Sequence, residues 1–83
     1  MMKLVRYTSD AARALRRHAN MTERIRETLL AYATDPVAHA NNVRRLVGSN
    51  ERRLRIGSFR AVFEETATEI LVTRIGPRGD IYE

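Results

Sequence analysis

The sequence predicts an α+β fold: a two-helix hairpin packed on a four-stranded, mainly antiparallel sheet, in the order β-α-α-β-β-β. Three observations predict it. Two stretches with helical apolar spacing are separated by only a short turn. The second half carries runs of alternating or β-prone residues broken by short turns. A β-prone run opens the chain. Eighty-three residues make one domain, 1–83, and a chain of that size buries only about 60–65% of the surface its unfolded form exposes.

The elements follow in order. "KLVRY" (Lys3–Tyr7) reads as the first strand. Ser9-Asp10 offers an N-cap and a first-turn acid, and "AARALRRHA" places Ala12, Leu15 and Ala19 at helical spacing. Asn20, with Glu23 three residues on, resembles a capping box and opens a second helix whose apolar stripe is Ile25, Leu29, Tyr32 and Ala33. Asp35-Pro36 ends it. "PVAHANNVRRLVGSNE" has no clean period and reads as a connector. Three strands follow. Arg52–Gly57 sets Leu54 and Ile56 against Arg53 and Arg55, and Phe59–Glu65 sets Phe59, Ala61 and Phe63 against Arg60 and Val62. "EILVTRI" (Glu69–Ile75) is apolar on both faces, as in a covered central strand. "GPRGDIYE" takes an irregular path.

Charge is distributed unevenly. Lys plus Arg is 15 and Asp plus Glu is 10, for a net +5. Residues 41–60 carry six basic and one acidic group (+5), residues 1–40 carry +3, and residues 61–83 carry −3. All but Lys3 of the basic residues are arginines, which hold phosphate with a planar, two-pronged donor set. Such a patch fits a polyanion binder; a solvated surface is the plainer reading. Alternation and a two-residue turn place Arg53, Arg55 and Arg60 side by side on one sheet face, where like charges are tolerable only if solvated or facing an anion. There is no cysteine, so no disulfide or thiolate site is expected. No apolar run approaches the ~18 residues of a membrane span, no signal peptide is visible, and a cytoplasmic location is expected. His18 and His39, without cysteines or paired carboxylates, make a poor metal site. The helix arginines Arg16, Arg17, Arg24 and Arg26 read as solvated charges.

The element order, "NNVRRLVGS", the hairpin "RRLRIGSFRAVFEE" and the ending "VTRIGPRGDIYE" resemble the RelE/ParE superfamily, small toxins of bacterial type II toxin–antitoxin systems. The resemblance covers essentially the whole chain. For a RelE-like member it implies a ribosome-dependent messenger-RNA endonuclease that uses neither metal nor cofactor. The messenger's own 2′-OH attacks the adjacent phosphate. The matching positions are Arg53, Arg55, Arg60, Arg78 and Tyr82; the shorter turn here leaves Arg52 as an alternative to Arg53. Arg60 and Arg78 would stabilise the pentavalent phosphate, Arg53 and Arg55 would hold the flanking backbone, and Tyr82 would stack on a base or donate a proton. Arg44, Arg45 and Arg52 are further expected RNA contacts. Where relatives carry a proton acceptor in the hairpin, this chain has arginine, a poor base; Glu51, Asp80, Tyr82 and Glu83 are the nearby alternatives. The implied partners are a cognate antitoxin and the ribosome with messenger in its A site. Two other readings stay open: a ParE-like DNA gyrase inhibitor, and an inactive toxin homologue that binds RNA or antitoxin as a co-repressor.

Overall fold

The structure is a computed structural model that describes residues 2–45, 48, 50–77 and 79. Its elements are β1 (Leu4–Tyr7), α1 (Ser9–Arg17), α2 (Thr22–Thr34), a 3₁₀ turn (Val37–Asn42), β2 (Val43–Arg45), β3 (Glu51–Ile56), β4 (Phe59–Glu65) and β5 (Glu69–Pro77). The strands form one sheet in the order β1-β5-β4-β3-β2. β1 runs parallel to β5, and the other pairings are antiparallel. The expected element order holds, but the sheet has five strands, not four. Val43–Arg45, expected inside a connector, pairs with β3 as an edge strand. Three residues are too few for alternation to show. Leu46 and Val47 of the connector lie outside the described residues.

Local chemistry sets the helix ends. The N-cap of α1 is Thr8, one residue before the expected Ser9; its hydroxyl accepts from the Ala11 N–H at 3.2 Å. Asp10 still lies in the first turn, where the helix dipole favours an acid. Asn20 does not cap α2, which begins after Met21 with no side-chain cap. The Thr22 hydroxyl instead donates to the carbonyls of Leu15 at 2.5 Å and His18 at 3.3 Å, tying the start of α2 to the end of α1. Both helices lie on one face of the sheet. Leu15, Ile25 and Leu29 there meet Leu54, Phe63, Ile70 and Val72 in a single core, and Phe63 is wholly buried. Of the apolar stripe expected on α1, Leu15 is buried, with Ala11 beside it in place of Ala12 and Ala19.

One polar cluster closes the helix side of the sheet. Glu65, at the end of β4, has a side chain only 5% exposed. One carboxylate oxygen accepts from Lys3 Nζ at 2.5 Å; the other accepts from Arg52 Nη1 at 2.5 Å and from the Tyr32 hydroxyl at 2.6 Å. Lys3 also donates to the Thr66 carbonyl at 2.7 Å. Thus one acid joins the residue before β1 to α2, β3 and β4. Burial pushes the Glu65 carboxyl up, but hydrogen bonds from Lys3 and Tyr32 and the charges of Lys3 and Arg52 outweigh it and hold the carboxyl below its ordinary 4.5. Burial, then the bond to Glu65, pushes the Tyr32 phenol up.

Two stability predictions follow from this packing. Phe63→Ala should cost about 3–5 kcal/mol, read from urea unfolding. Glu65→Gln should cost about 2 kcal/mol near neutral pH, because Lys3, Arg52 and Tyr32 lose a charged acceptor. The folded carboxyl titrates below the unfolded one, so its stabilisation is complete above 4.5 and is lost as pH falls through the lower folded value. Unfolding midpoints of the parent and Glu65→Gln should therefore converge in acid, as the pH falls below the ordinary carboxyl range.

Candidate nucleic-acid interface

The face of the sheet opposite the helices is built by strand register. Across the β2–β3 pair, Arg44 is the direct partner of Arg53; across β3–β4, Arg53 opposes Val62 and Arg55 opposes Arg60; across β4–β5, Val62 opposes Arg74 and Arg60 opposes Gly76. Direct partners in a sheet share a face. One rung therefore reads Arg44, Arg53, Val62, Arg74, and the next reads Arg55, Arg60, Gly76. Val62 is wholly buried yet stands apart from the main core. It forms an apolar base between Arg53 and Arg74, and Gly76 adds no side chain beside Arg60.

Arg74 reaches this face through a bulge. The register slips between Val62 and Phe63, so that Val62 pairs with Arg74 but Phe63 pairs with Val72, leaving Thr73 as the extra residue. Strict alternation from Ile70 and Val72 would turn Arg74 into the core; the bulge turns Ile75 inward and Arg74 outward. The irregular backbone is hydrogen-bonded: the Thr8 hydroxyl donates to the Thr73 carbonyl at 3.1 Å and the Thr73 hydroxyl to the Val62 carbonyl at 3.2 Å. The sequence leaves Arg74 open between the basic face and a pairing with Glu64; the bulge puts it on the basic face.

The other expected residues divide. Arg55 Nη2 donates to Asn42 Oδ1 at 3.3 Å, across the start of β2. Arg60 Nη1 donates to the carbonyls of Gly57 at 3.2 Å and Phe59 at 2.9 Å, drawing its guanidinium toward the hairpin tip. Arg52 and Arg45 are direct partners in register with Phe63, which places them on the helix-side face. Arg52 is bound there to Glu65. These two are not brought together with the others, because their parity along the strands is opposite. Arg78 and Tyr82, and the acceptor candidates Asp80 and Glu83, lie outside the described residues. Glu51 shares the parity of Arg53 and stands opposite Glu64, at the far end of the same face from the turn. Among the described residues, no group of three or more His, Asp or Glu side chains could hold a metal ion.

This face offers forked donors in rows spaced like a sheet, which suits phosphate oxygens. Arginine cannot accept a proton at neutral pH, so the rows can position and stabilise negative charge but not remove a proton.

A domain so built has the fold of the RelE/ParE-superfamily toxins. The RelE–RelB complex of Pyrococcus horikoshii superposes with a TM-score of 0.77 at 22% identity, covering 98% of this chain and 100% of the other. The RelBE2 toxin–antitoxin complex of Mycobacterium tuberculosis gives 0.76 at 18%, covering 94% and 100%. The Escherichia coli DinJ–YafQ complex gives 0.66 at 15%, covering 100% of both chains. No curated protein matches the sequence. Residues 2–82 match the family described as ParE toxin of type II toxin–antitoxin system, parDE, and the chain belongs to that family.

The arginine pairs carry a cost that can be measured. Like charges directly opposite destabilise a sheet by about 0.2–1 kcal/mol. Arg55→Gln keeps a side-chain amide near Asn42 and removes the repulsion with Arg60. It should raise the unfolding midpoint slightly at low ionic strength, and the gain should fade by about 1 M salt, where screening acts within roughly 3 Å.

Proposed function

We propose that this toxin arrests growth by cutting messenger RNA on the ribosome in the cytoplasm, and that a cognate antitoxin silences it. The observation that carries the reading is the register that sets Arg44, Arg53, Arg55, Arg60 and Arg74 on one sheet face. The antitoxin complexes of similarly folded chains and the family match support the partner. In the reaction, the O2′ of one nucleotide bonds to the neighbouring phosphorus and the P–O5′ bond breaks, leaving a cyclic phosphate and a 5′-OH. The O2′ proton goes to an acceptor, and the leaving O5′ takes one up. No metal enters these steps. Arg60 and Arg78 stabilise the extra charge on the pentavalent phosphate. Arg53 and Arg55 hold the flanking backbone, with Arg44 beside them. Tyr82 stacks on a base or protonates the leaving oxygen. Of the acceptor candidates, Glu51 is supported by its place on the arginine face.

A second reading, inhibition of DNA gyrase, is favoured by the family match itself, whose description is that of the ParE toxins. It uses the same fold without cutting RNA.

Induced expression should halt protein synthesis and leave transcript ends within codons. Arg60→Ala should slow cleavage by about 10²–10³, and Glu51→Gln should slow it while leaving the protein folded. Toxicity of Arg60→Ala equal to the parent would contradict the reading. Intact transcripts together with inhibited supercoiling by purified gyrase would select the second.

A further inference from the structure

The basic face does not stop at the edge of the sheet. The β3–β4 loop has two residues, since Ile56 pairs directly with Phe59. Gly57 has φ +59, and Ser58 is not in the positive-φ region, the pattern of a type II′ turn with glycine first. Against this glycine lies a side chain from another element. A Cβ built on Gly57 would stand 3.3 Å from Cζ, Nη1 and Nη2 of Arg24 alike. Three guanidinium atoms at one distance mean that the planar group of Arg24, from the first turn of α2, lies flat on the turn.

Arg60 bears on the same glycine from the open face, through its bond to the Gly57 carbonyl. Two guanidiniums from opposite sides of the sheet thus converge on one exposed turn. Among the described residues, no ion pair or hydrogen bond takes up the Arg24 guanidinium, although Glu23 and Glu27 lie on the same helix. Packing its face on the turn leaves the in-plane N–H donors pointing along the surface, where a phosphate oxygen would sit. A solvated arginine gains little from lying over a glycine, and it gives up side-chain freedom to do so. An anion bridging it to Arg60 would offset both that loss and the mutual repulsion.

We propose that this turn is a phosphate-gripping corner, at which Arg24 and Arg60 hold the backbone of single-stranded RNA as it leaves the arginine face and passes around the hairpin tip. The corner rests on the RNA-cutting reading and extends it: Arg60 faces both the reacting phosphate and the one next to it, and Arg24 is a binding residue on that neighbouring phosphate only, lengthening the track by one contact. Gly57 is part of the device, since any side chain there would meet the Arg24 guanidinium and would strain a positive φ.

The test is fluorescence anisotropy with a labelled, 2′-O-methylated oligoribonucleotide and the full chain, over a series of salt concentrations. Arg24→Ala should bind several-fold more weakly, and its slope of log affinity against log salt should shrink by about 0.7, one phosphate contact on a single strand. Arg24→Gln should match it, and guards against a folding defect in the alanine variant. Arg24→Lys keeps a point charge but not the flat fork, and should fall between. Arg13→Ala, whose parent side chain pairs with Asp10 at 3.3 Å, should bind like the parent. If Arg24→Ala and Arg24→Gln keep the parent affinity and slope while Arg53→Ala loses both, the corner is wrong and the RNA face stands. If the parent shows no salt-dependent RNA binding, the corner falls together with the reading it extends. Weakened antitoxin capture by Arg24→Ala with RNA binding intact would make the corner a protein contact and overturn the proposal.

Discussion

The register between β3 and β4 is the constraint on which the rest of the molecule depends. Pairing Ile56 with Phe59 through a two-residue turn puts Leu54 opposite Ala61 on the core side and Arg55 opposite Arg60 on the other. A slip of one residue would reverse every side chain of a strand. It would drive arginines into the core and bring Leu54 and Phe63 to the surface. The burial of Leu54, Ala61 and Phe63 therefore enforces the grouping of the arginines, although the arginines oppose it among themselves. The charge cluster is a consequence of hydrophobic burial on the reverse side of the same strands.

That arrangement requires the sheet to be held from its other side. The two helices bring Leu15, Ile25, Leu29 and Tyr32 onto the core face of the sheet. Glu65 supplies the polar closure, accepting hydrogen bonds from Lys3, Tyr32 and Arg52. Its role also explains the division of the hairpin arginines. Arg52 shares the parity of Leu54 and is bound to Glu65, while Arg53 shares the parity of Arg55 and lies on the arginine face. Two adjacent arginines in one strand thus stand in unrelated surroundings, separated only by the pleat. The same pleat, interrupted by the bulge at Thr73, gives Arg74 to the open face and Ile75 to the core.

Much of this was legible in the sequence, because period-two alternation and helical spacing are strong where segments are long. The β3–β4 hairpin, the helix pair and the grouping of Arg53, Arg55 and Arg60 follow from them. What escaped was short or non-local. Val43–Arg45 is a strand only because β3 is there to pair with it. Thr8 displaced Ser9 as the cap because its hydroxyl also reaches the Thr73 carbonyl, a contact across 65 positions. Arg52 met Glu65 and Tyr32 through tertiary packing, which no local window contains. Arg24 is exposed, as expected of a solvated helix charge, but its resting place against Gly57, a residue of another element, is not visible in any local window.

The central claim is that one sheet face, set by strand register, is the surface that receives RNA. Its most direct test is an NMR titration of the ¹⁵N-labelled chain with an uncleavable oligoribonucleotide, following the arginine Nε–Hε signals. The account predicts that Arg44, Arg53, Arg55, Arg60 and Arg74 shift together and saturate at one ratio, while Arg16 and Arg17 of α1 do not move. Shifts confined to the helix arginines, with the sheet face silent, would contradict it.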